Sequence, residues 1–525
     1  MSRIVLALRV SALPAVAVPL TALALALVAA LPATAQATEP SSSPAPEAEL
    51  VVTKHQVDIA GQRVDYEATA GWLIVDDAEG KPAARFGFTA YVRQGAGEPA
   101  ERPLMFAFNG GPGSASIWLH LGVLGPRRVV VPDADFASPS SFQLVDNAYS
   151  VLDVADLVMI DPVGTGYSRP VGEAKNEDFW GVDQDIDSVS RFIKAYVTEF
   201  GRWMSPKILL GESYGGMRAG GVSWELLSKH NMSLAGVILV SPFMSWDAGS
   251  DGIGIDLPHV LYLTTLAATA WYHEALEDRP AELVPFLDEV KAFAYDEYAP
   301  ALLKGNRLSA EDTSRIAARL ARYTGVDAEY WQRADLRVEH NQFLKELLRD
   351  RGQTTGRIDS RYVGRAFNGI GERTGYDPMF AAIGPPFTAA FLDYYHRELG
   401  FAEPGKELEY KVSGGFWRQW DWGHRSPKAD GFKLPHPDTS PDLTYAMGQN
   451  PHMRVLVQQG YYDLATPVGA TEYAVDHMTL SAAERERIRI DYYEAGHMMY
   501  LHPPSLEKYR DDTVRFIREC VDGGS

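Results

Sequence analysis

Residues 207–216 read Lys207-Ile208-Leu209-Leu210-Gly211-Glu212-Ser213-Tyr214-Gly215-Gly216. An apolar run ends in the pattern G-x-S-x-G. That order suits a strand that turns sharply into a helix and pushes a serine hydroxyl outward at the turn. Gly211 and Gly215 leave room for backbone atoms that any Cβ would strike. The helix-compatible stretch 217–229 follows. The turn therefore aims a helix N-terminus, with its free N–H groups, at whatever Ser213 attacks. A plain glycine-rich turn is the competing reading, and the rest of the chain has to choose between them.

Short apolar runs recur at 104–108, 155–160, 237–240 and 455–457. Each suits a strand buried on both faces. Helical patterns separate several of them, as at 185–200, where Ile186, Val189, Phe192, Ile193 and Tyr196 share a face. Strands alternating with helices predict an α/β fold, a mostly parallel sheet with helices on both faces. Upstream, residues 55–59, 64–75 and 84–92 are separated by turn signals and predict antiparallel hairpins. Between 246 and 445 the pattern becomes helical, at 259–276, at 283–298, and from the capping signal Ser309-Ala310-Glu311-Asp312 to the stop at Gly325. Residues 405–445, rich in Trp, Gly, Asp and Pro, read as loop. The expected organisation is a signal peptide over 1–37, a disordered lead-in over 38–49, and the first part of the core over 50–245. A mostly helical insertion, or cap, covers 246–445, and the second part of the core covers 446–525.

A catalytic serine needs a base, and the base needs an orienting acid. After the insertion, the strand around 454–458 leads to Gly460-Tyr461-Tyr462-Asp463, and the strand 488–493 leads to Glu494-Ala495-Gly496-His497. Groups just past strand ends lie on the edge where open α/β sheets bind ligands. The order serine, acid, histidine selects Ser213, Asp463 and His497. Glu472 and Glu494 are rival acids, and His477 and His502 rival bases. An oxyanion hole is also required. Phe108-Asn109-Gly110-Gly111-Pro112-Gly113-Ser114 begins at a strand end, and the donors would be the N–H groups of Gly111 and Tyr214. The absence of a following Gly-Lys-Ser/Thr excludes a phosphate loop.

The net charge is −20 and no Lys/Arg run is present, which disfavours a nucleic-acid partner. Paired Cys/His spacing and H-E-x-x-H are absent, so neither metal nor cofactor is expected. Cys520 is the only cysteine, which excludes an intramolecular disulfide. Arg3 and Arg9, the apolar run 13–31 and Ala33-Thr34-Ala35-Gln36-Ala37 form a signal segment. Pro14, Pro19 and Pro32 argue against a membrane anchor. The expectation is export to a bacterial periplasm or beyond, with no stable anchor after cleavage.

The motifs together resemble the serine carboxypeptidase family, α/β-hydrolases that remove C-terminal residues from peptides. The resemblance rests on Asn109-Gly110-Gly111-Pro112-Gly113, Leu124-Gly125-Pro126, Asp161-Pro162-Val163-Gly164-Thr165-Gly166-Tyr167-Ser168, Glu212-Ser213-Tyr214-Gly215-Gly216, Gly460-Tyr461-Tyr462-Asp463 and Gly496-His497-Met498, in the family order. It implies an α/β-hydrolase fold and Ser213, Asp463 and His497 as the triad. It also implies that Asn109 and Glu212 bind the substrate's terminal carboxylate, with Gly110 and Met498 among the substrate-binding residues. An ionised Glu212 would repel a carboxylate, so it must be protonated to donate a hydrogen bond.

Five positions depart from the family pattern. Val123 stands where a second Glu is usual, Ala107 for a Trp, Ser114 for a Cys, and Met217-Arg218 for His-Tyr. Carboxylate recognition is therefore expected to be weakened or rebuilt, with Arg218, His120 or Arg127 as candidates. The leading expectation is a serine carboxypeptidase acting on peptides. An exported esterase or acyltransferase with the same triad is the runner-up, and a catalytically dead binding protein the third reading. The family includes monomers and homodimers, and the resemblance leaves both open.

Overall fold

The computed structural model describes residues 47–250, 252, 254–401 and 409–522. The expected signal peptide and most of the lead-in lie outside the described residues. Residues 47–49 of the expected lead-in are part of the fold. Glu49 begins the first strand, and the Glu47 carbonyl accepts a hydrogen bond from the Trp72 indole at 3.1 Å.

One sheet runs in the order Glu49–Ile59, Gln62–Asp76, Pro82–Arg93, Asp156–Ile160, Leu104–Phe108, Lys207–Glu212, Gly236–Val240, Arg454–Gly460, Ile488–Tyr493. The two-residue strand Arg169–Pro170 joins it on the Pro82–Arg93 strand. The first four strands pair antiparallel, and every later pairing is parallel. This is the α/β-hydrolase arrangement. The alternation of strand side chains divides the core. Met105, Ala107, Ile208 and Leu210 face one cluster with Phe516 of helix Pro503–Asp522. Phe106, Phe108 and Leu209 face the other, with Ile186 of helix Val182–Glu199 and Val222 of helix Tyr214–His230.

The chain leaves the sheet after Val240 and returns at Arg454. Helices Leu257–Tyr272, Leu283–Phe293 and Ala310–Thr324 in this insertion share an apolar cluster of their own, which also takes in Tyr462 and Leu464. The Ser309 hydroxyl caps the third of them by accepting from the Asp312 N–H at 3.0 Å, and Gly325 ends it at φ 68°.

One element differs from the sequence reading and another was not singled out by it. Helix Pro378–Arg397, inside the expected helical insertion, contains Pro385 and Pro386, residues that disfavour a helix interior. Tertiary burial of Met379, Ile383 and Phe387 overrides them, and the Asp377 carboxylate caps the first turn by accepting from the Phe380 N–H. Helix Ser440–Gln449 begins inside the stretch read as loop. The described part of the remainder, 409–439, is a strap laid across the core. Its Val412 carbonyl accepts from Ala115 N–H at 3.0 Å, and its Gly414 and Asp421 N–H groups donate to Gly113 (2.7 Å) and Trp180 (3.0 Å). Trp180 stacks on Phe416 with centroids 4.1 Å apart. Among the described residues, no helix is long and apolar enough to cross a membrane.

Arg218 joins helix Tyr214–His230 to its neighbour. Its guanidinium is fully buried, 2.7 Å from Asp185 on Val182–Glu199, and donates to the Asn109 carbonyl at 2.7 Å. Removing one partner of such a pair strands the other charge. Asp185→Ala should lower unfolding stability by about 3–5 kcal/mol in urea titrations, and Asp185→Ala with Arg218→Met should cost less than the sum of the single changes.

Candidate active site

Ser213 sits between the strand Lys207–Glu212 and the helix Tyr214–His230 with φ 62° and ψ −127°, outside the conformations a side chain normally tolerates. The neighbouring glycines permit this. A Cβ on Gly211 would lie 2.0 Å from the Gly215 carbonyl oxygen, and one on Gly215 would lie 2.9 Å from that of Phe108. The Ser213 N–H donates to Val240 at 3.0 Å, and its carbonyl accepts from Gly216 (2.8 Å) and Phe243 (2.9 Å). The serine is thus pinned from both sides and half-buried.

The Asn109–Gly113 loop abuts this turn. A Cβ on Gly110 would lie 2.4 Å from the Tyr214 nitrogen. Tyr214 opens its helix, so its N–H has no intrahelical acceptor. Gly111, with φ 107°, lines the same cleft as Ser213.

Asp463 follows the strand Arg454–Gly460, and His497 follows Ile488–Tyr493. His497 Nδ1 lies 2.7 Å from Asp463 Oδ2. Asp463 is fully buried and surrounded by donors. Its Oδ1 accepts from the N–H groups of Ala465 (2.8 Å) and Thr466 (3.0 Å), and its Oδ2 accepts from the Thr466 hydroxyl at 2.6 Å. Burial pushes the His497 imidazole down, but the Asp463 carboxylate outweighs it and holds the ring above its ordinary value.

A wedge from the insertion ties the acid and base loops together. The Arg357 carbonyl accepts from Leu464 N–H at 3.0 Å, and the Ile358 carbonyl accepts from His497 N–H at 2.8 Å. Asp359 accepts from Gly496 N–H at 3.2 Å, and Ser360 N–H donates to Tyr462 at 2.9 Å. Nothing in the sequence of 357–360 marks this role. Thr466 is likewise visible only once folding brings it beside Asp463 and His497.

The cleft has two lobes that share Gly111, Ser213, Arg357 and Trp422. The larger, about 460 Å³, is lined by Asn109, Gly110, Glu212, His497 and Met498. The smaller, about 230 Å³, is lined by Tyr214, Phe243, Trp246 and Thr466. The structure thus gathers Ser213, His497, Gly111, Asn109, Gly110, Glu212 and Met498 in one lobe and Tyr214 in the other, with Asp463 buried behind His497. The rivals are elsewhere. Glu472 pairs with Lys291 at 2.8 Å, Glu494 and His477 are exposed, and His502 bonds Ser505.

Glu212 is buried and doubly bonded. Its Oε1 accepts from Asn109 Nδ2 at 2.7 Å and its Oε2 from the Tyr500 hydroxyl at 2.6 Å. Burial pushes its carboxyl up to about 7, and the nearby His497 and these two donors pull the other way. Tyr500 therefore partners Glu212 in a chain where Val123 is a buried apolar residue. Gly122 makes room for it, since a Cβ there would lie 2.5 Å from the Tyr500 ring. The three cations suggested by sequence as replacements are all engaged away from the substrate. Arg218 is held by Asp185, and Arg127 pairs with Asp146 and with Glu398 at 3.0 Å. His120 bonds Tyr91 at 2.5 Å, and burial lowers it to about 3, which keeps it neutral.

A folded-state carboxyl raised from 4.5 to about 7 keeps its proton while the unfolded one loses it. Stability is full below about 4.5 and falls as pH rises toward 7, by up to about 3 kcal/mol for this group. Glu212→Gln should flatten that slope, so its unfolding free energy relative to wild type should climb between pH 4.5 and 7.5 in urea titrations.

Residues 60–278 match the family model described as serine carboxypeptidase. Serine carboxypeptidase-like 10 of Arabidopsis thaliana is 24% identical over 34% of this chain and 40% of its own length. The pheromone-processing carboxypeptidase KEX1 of Saccharomyces cerevisiae is 36% identical over 22% of this chain and 16% of its own. The chain thus spans less than half the length of these curated relatives. The crystal structure of KEX1 superposes with a TM-score of 0.50 at 14% identity, covering 86% of this chain and 91% of that one. With its sheet and cleft assembled as described, the chain resembles the serine carboxypeptidases, and residues 60–278 carry the match to that family's model.

Proposed function

We propose that the protein is a serine-type carboxypeptidase that releases C-terminal residues from peptides. The observation that carries this reading is a single cleft lined by Ser213, His497 and the Asn109–Glu212 pair, with Asp463 bonded behind the histidine. Ser213 Oγ attacks the last peptide carbonyl as His497 Nε2 takes its proton. Asp463 holds the ring through Nδ1. The Gly111 and Tyr214 N–H groups face the oxyanion that forms. The C–N bond breaks as His497 gives the proton to the leaving amine, leaving an ester on Ser213. Water then attacks that ester by the reverse proton path and releases the shortened peptide.

Met498 and the aromatic walls of the two lobes serve as side-chain pockets on this reading, and the insertion covers the site. The carboxypeptidase names of the relatives favour a peptidase over an esterase or acyltransferase, which draws on Val123 alone. Residues 1–37 support export to the periplasm or beyond.

Ser213→Ala should abolish C-terminal residue release, read by mass spectrometry, and also fluorophosphonate labelling. Asp463→Asn should lower kcat by about 10⁴-fold with folding intact. Unlabelled, folded wild type would overturn the enzyme reading.

The two shifted groups predict the pH profile. His497 must be neutral to act as base, so kcat/KM should fall as pH drops through its raised titration. Glu212 must be protonated beside a substrate carboxylate, so KM for peptide acids should rise above about pH 7. Peptide amides should lack that alkaline limb, and Glu212→Gln should remove it for the acids. The check is kcat and KM measured from pH 5 to 9 on matched acid and amide.

A further inference from the structure

Arg357 lines both lobes of the cleft beside Ser213, and it is exposed. Among the described residues its guanidinium has no hydrogen-bond or ion-pair partner, in a fold where most arginines are paired. Its backbone, in contrast, is fixed. The Arg357 N–H donates to the Asp377 carboxylate at 2.7 Å, and its carbonyl accepts from Leu464 at 3.0 Å. The next residues are buried in the wedge between the acid and base loops, and Asp359 is clamped by Arg361 at 2.6 Å.

The other polar groups of the larger lobe are already committed. Both Glu212 oxygens accept hydrogen bonds, and Asn109 Oδ1 accepts from the Leu119 N–H at 3.1 Å. Around them lie Trp118, Phe380, Trp417 and Met498. An unspent, rigidly based guanidinium beside an aromatic-walled pocket suits a ligand with a carboxylate and a bulky apolar side chain.

The geometry points to Arg357 as the residue that takes the free C-terminal carboxylate, selecting peptides that end in a large apolar or aromatic residue. This rests on the carboxypeptidase reading above and names its specificity determinant. The guanidinium supplies the positive charge that neither Val123 nor the Asn109–Glu212–Tyr500 group provides. Binding energy spent on that carboxylate anchors the leaving residue, so the last peptide bond lies at Ser213.

The test compares wild type, Arg357→Gln and Arg357→Lys on a blocked dipeptide ending in phenylalanine, as free acid and as amide. A second pair replaces the last residue by phenyllactate, so that the scissile bond is an ester. Wild type should prefer the acids. Arg357→Gln should raise KM for the acids by about 10- to 100-fold, with kcat nearly unchanged and the amides unaffected. Arg357→Lys should restore part of the preference. Equal fluorophosphonate labelling of Ser213 in all three proteins shows that the fold and nucleophile are intact. Loss on acid and amide alike, or an acid preference that survives Arg357→Gln, overturns the proposal. Cleavage of the esters without the peptides sinks the peptidase reading but still judges Arg357 on the phenyllactate pair. If neither pair is cut, protection of Ser213 from labelling by blocked phenylalanine and its amide decides, and equal protection by both overturns the assignment.

Discussion

The positive φ of Ser213 is a strained conformation of the kind that costs about 1–3 kcal/mol and persists only where its surroundings dictate it. Three neighbours do so here. The Val240 strand end holds its nitrogen, the first helical turn and Phe243 hold its carbonyl, and glycines on both sides let backbones approach within contact distances no side chain allows. The same close approach brings the Gly110 backbone against the Tyr214 nitrogen. The cleft-lining serine and the adjacent N–H donors are thus products of one packing arrangement.

The parts of the fold legible in sequence are those written in local chemistry. The apolar run at Leu104–Phe108 and the glycines around Ser213 announce buried strands and a tight turn. Asp463 and His497 are legible because each stands just past such a run, in an order the sheet imposes. What stayed hidden depends on contacts between distant residues. Tyr500 reaches Glu212 across 288 positions. The 357–360 wedge looks like any polar loop until it lies between two strand ends. Helix Pro378–Arg397 falls in the stretch expected to be helical, and burial against the core holds it together across its two internal prolines.

Two carboxyl groups flank the histidine, and their surroundings assign them different work. Asp463 collects two backbone donors, a hydroxyl and the imidazole, so it is built to accept. Glu212, buried as deeply, has only two neutral side-chain donors, and burial raises its carboxyl to about 7. On the proposed carboxypeptidase reading, environment rather than residue type separates orienter from binder.

The strap across the core is fastened by main-chain hydrogen bonds to Gly113, Ala115 and Trp180, at a place where Ser114 stands rather than a cysteine. The sole thiol, Cys520, is half-buried far along the chain, and burial pushes it up to about 12. Closing the cleft therefore requires no oxidant, and a reductant has no bond in it to open. The chain can complete its site in a reducing or an oxidising compartment, so its folding is uncoupled from thiol chemistry.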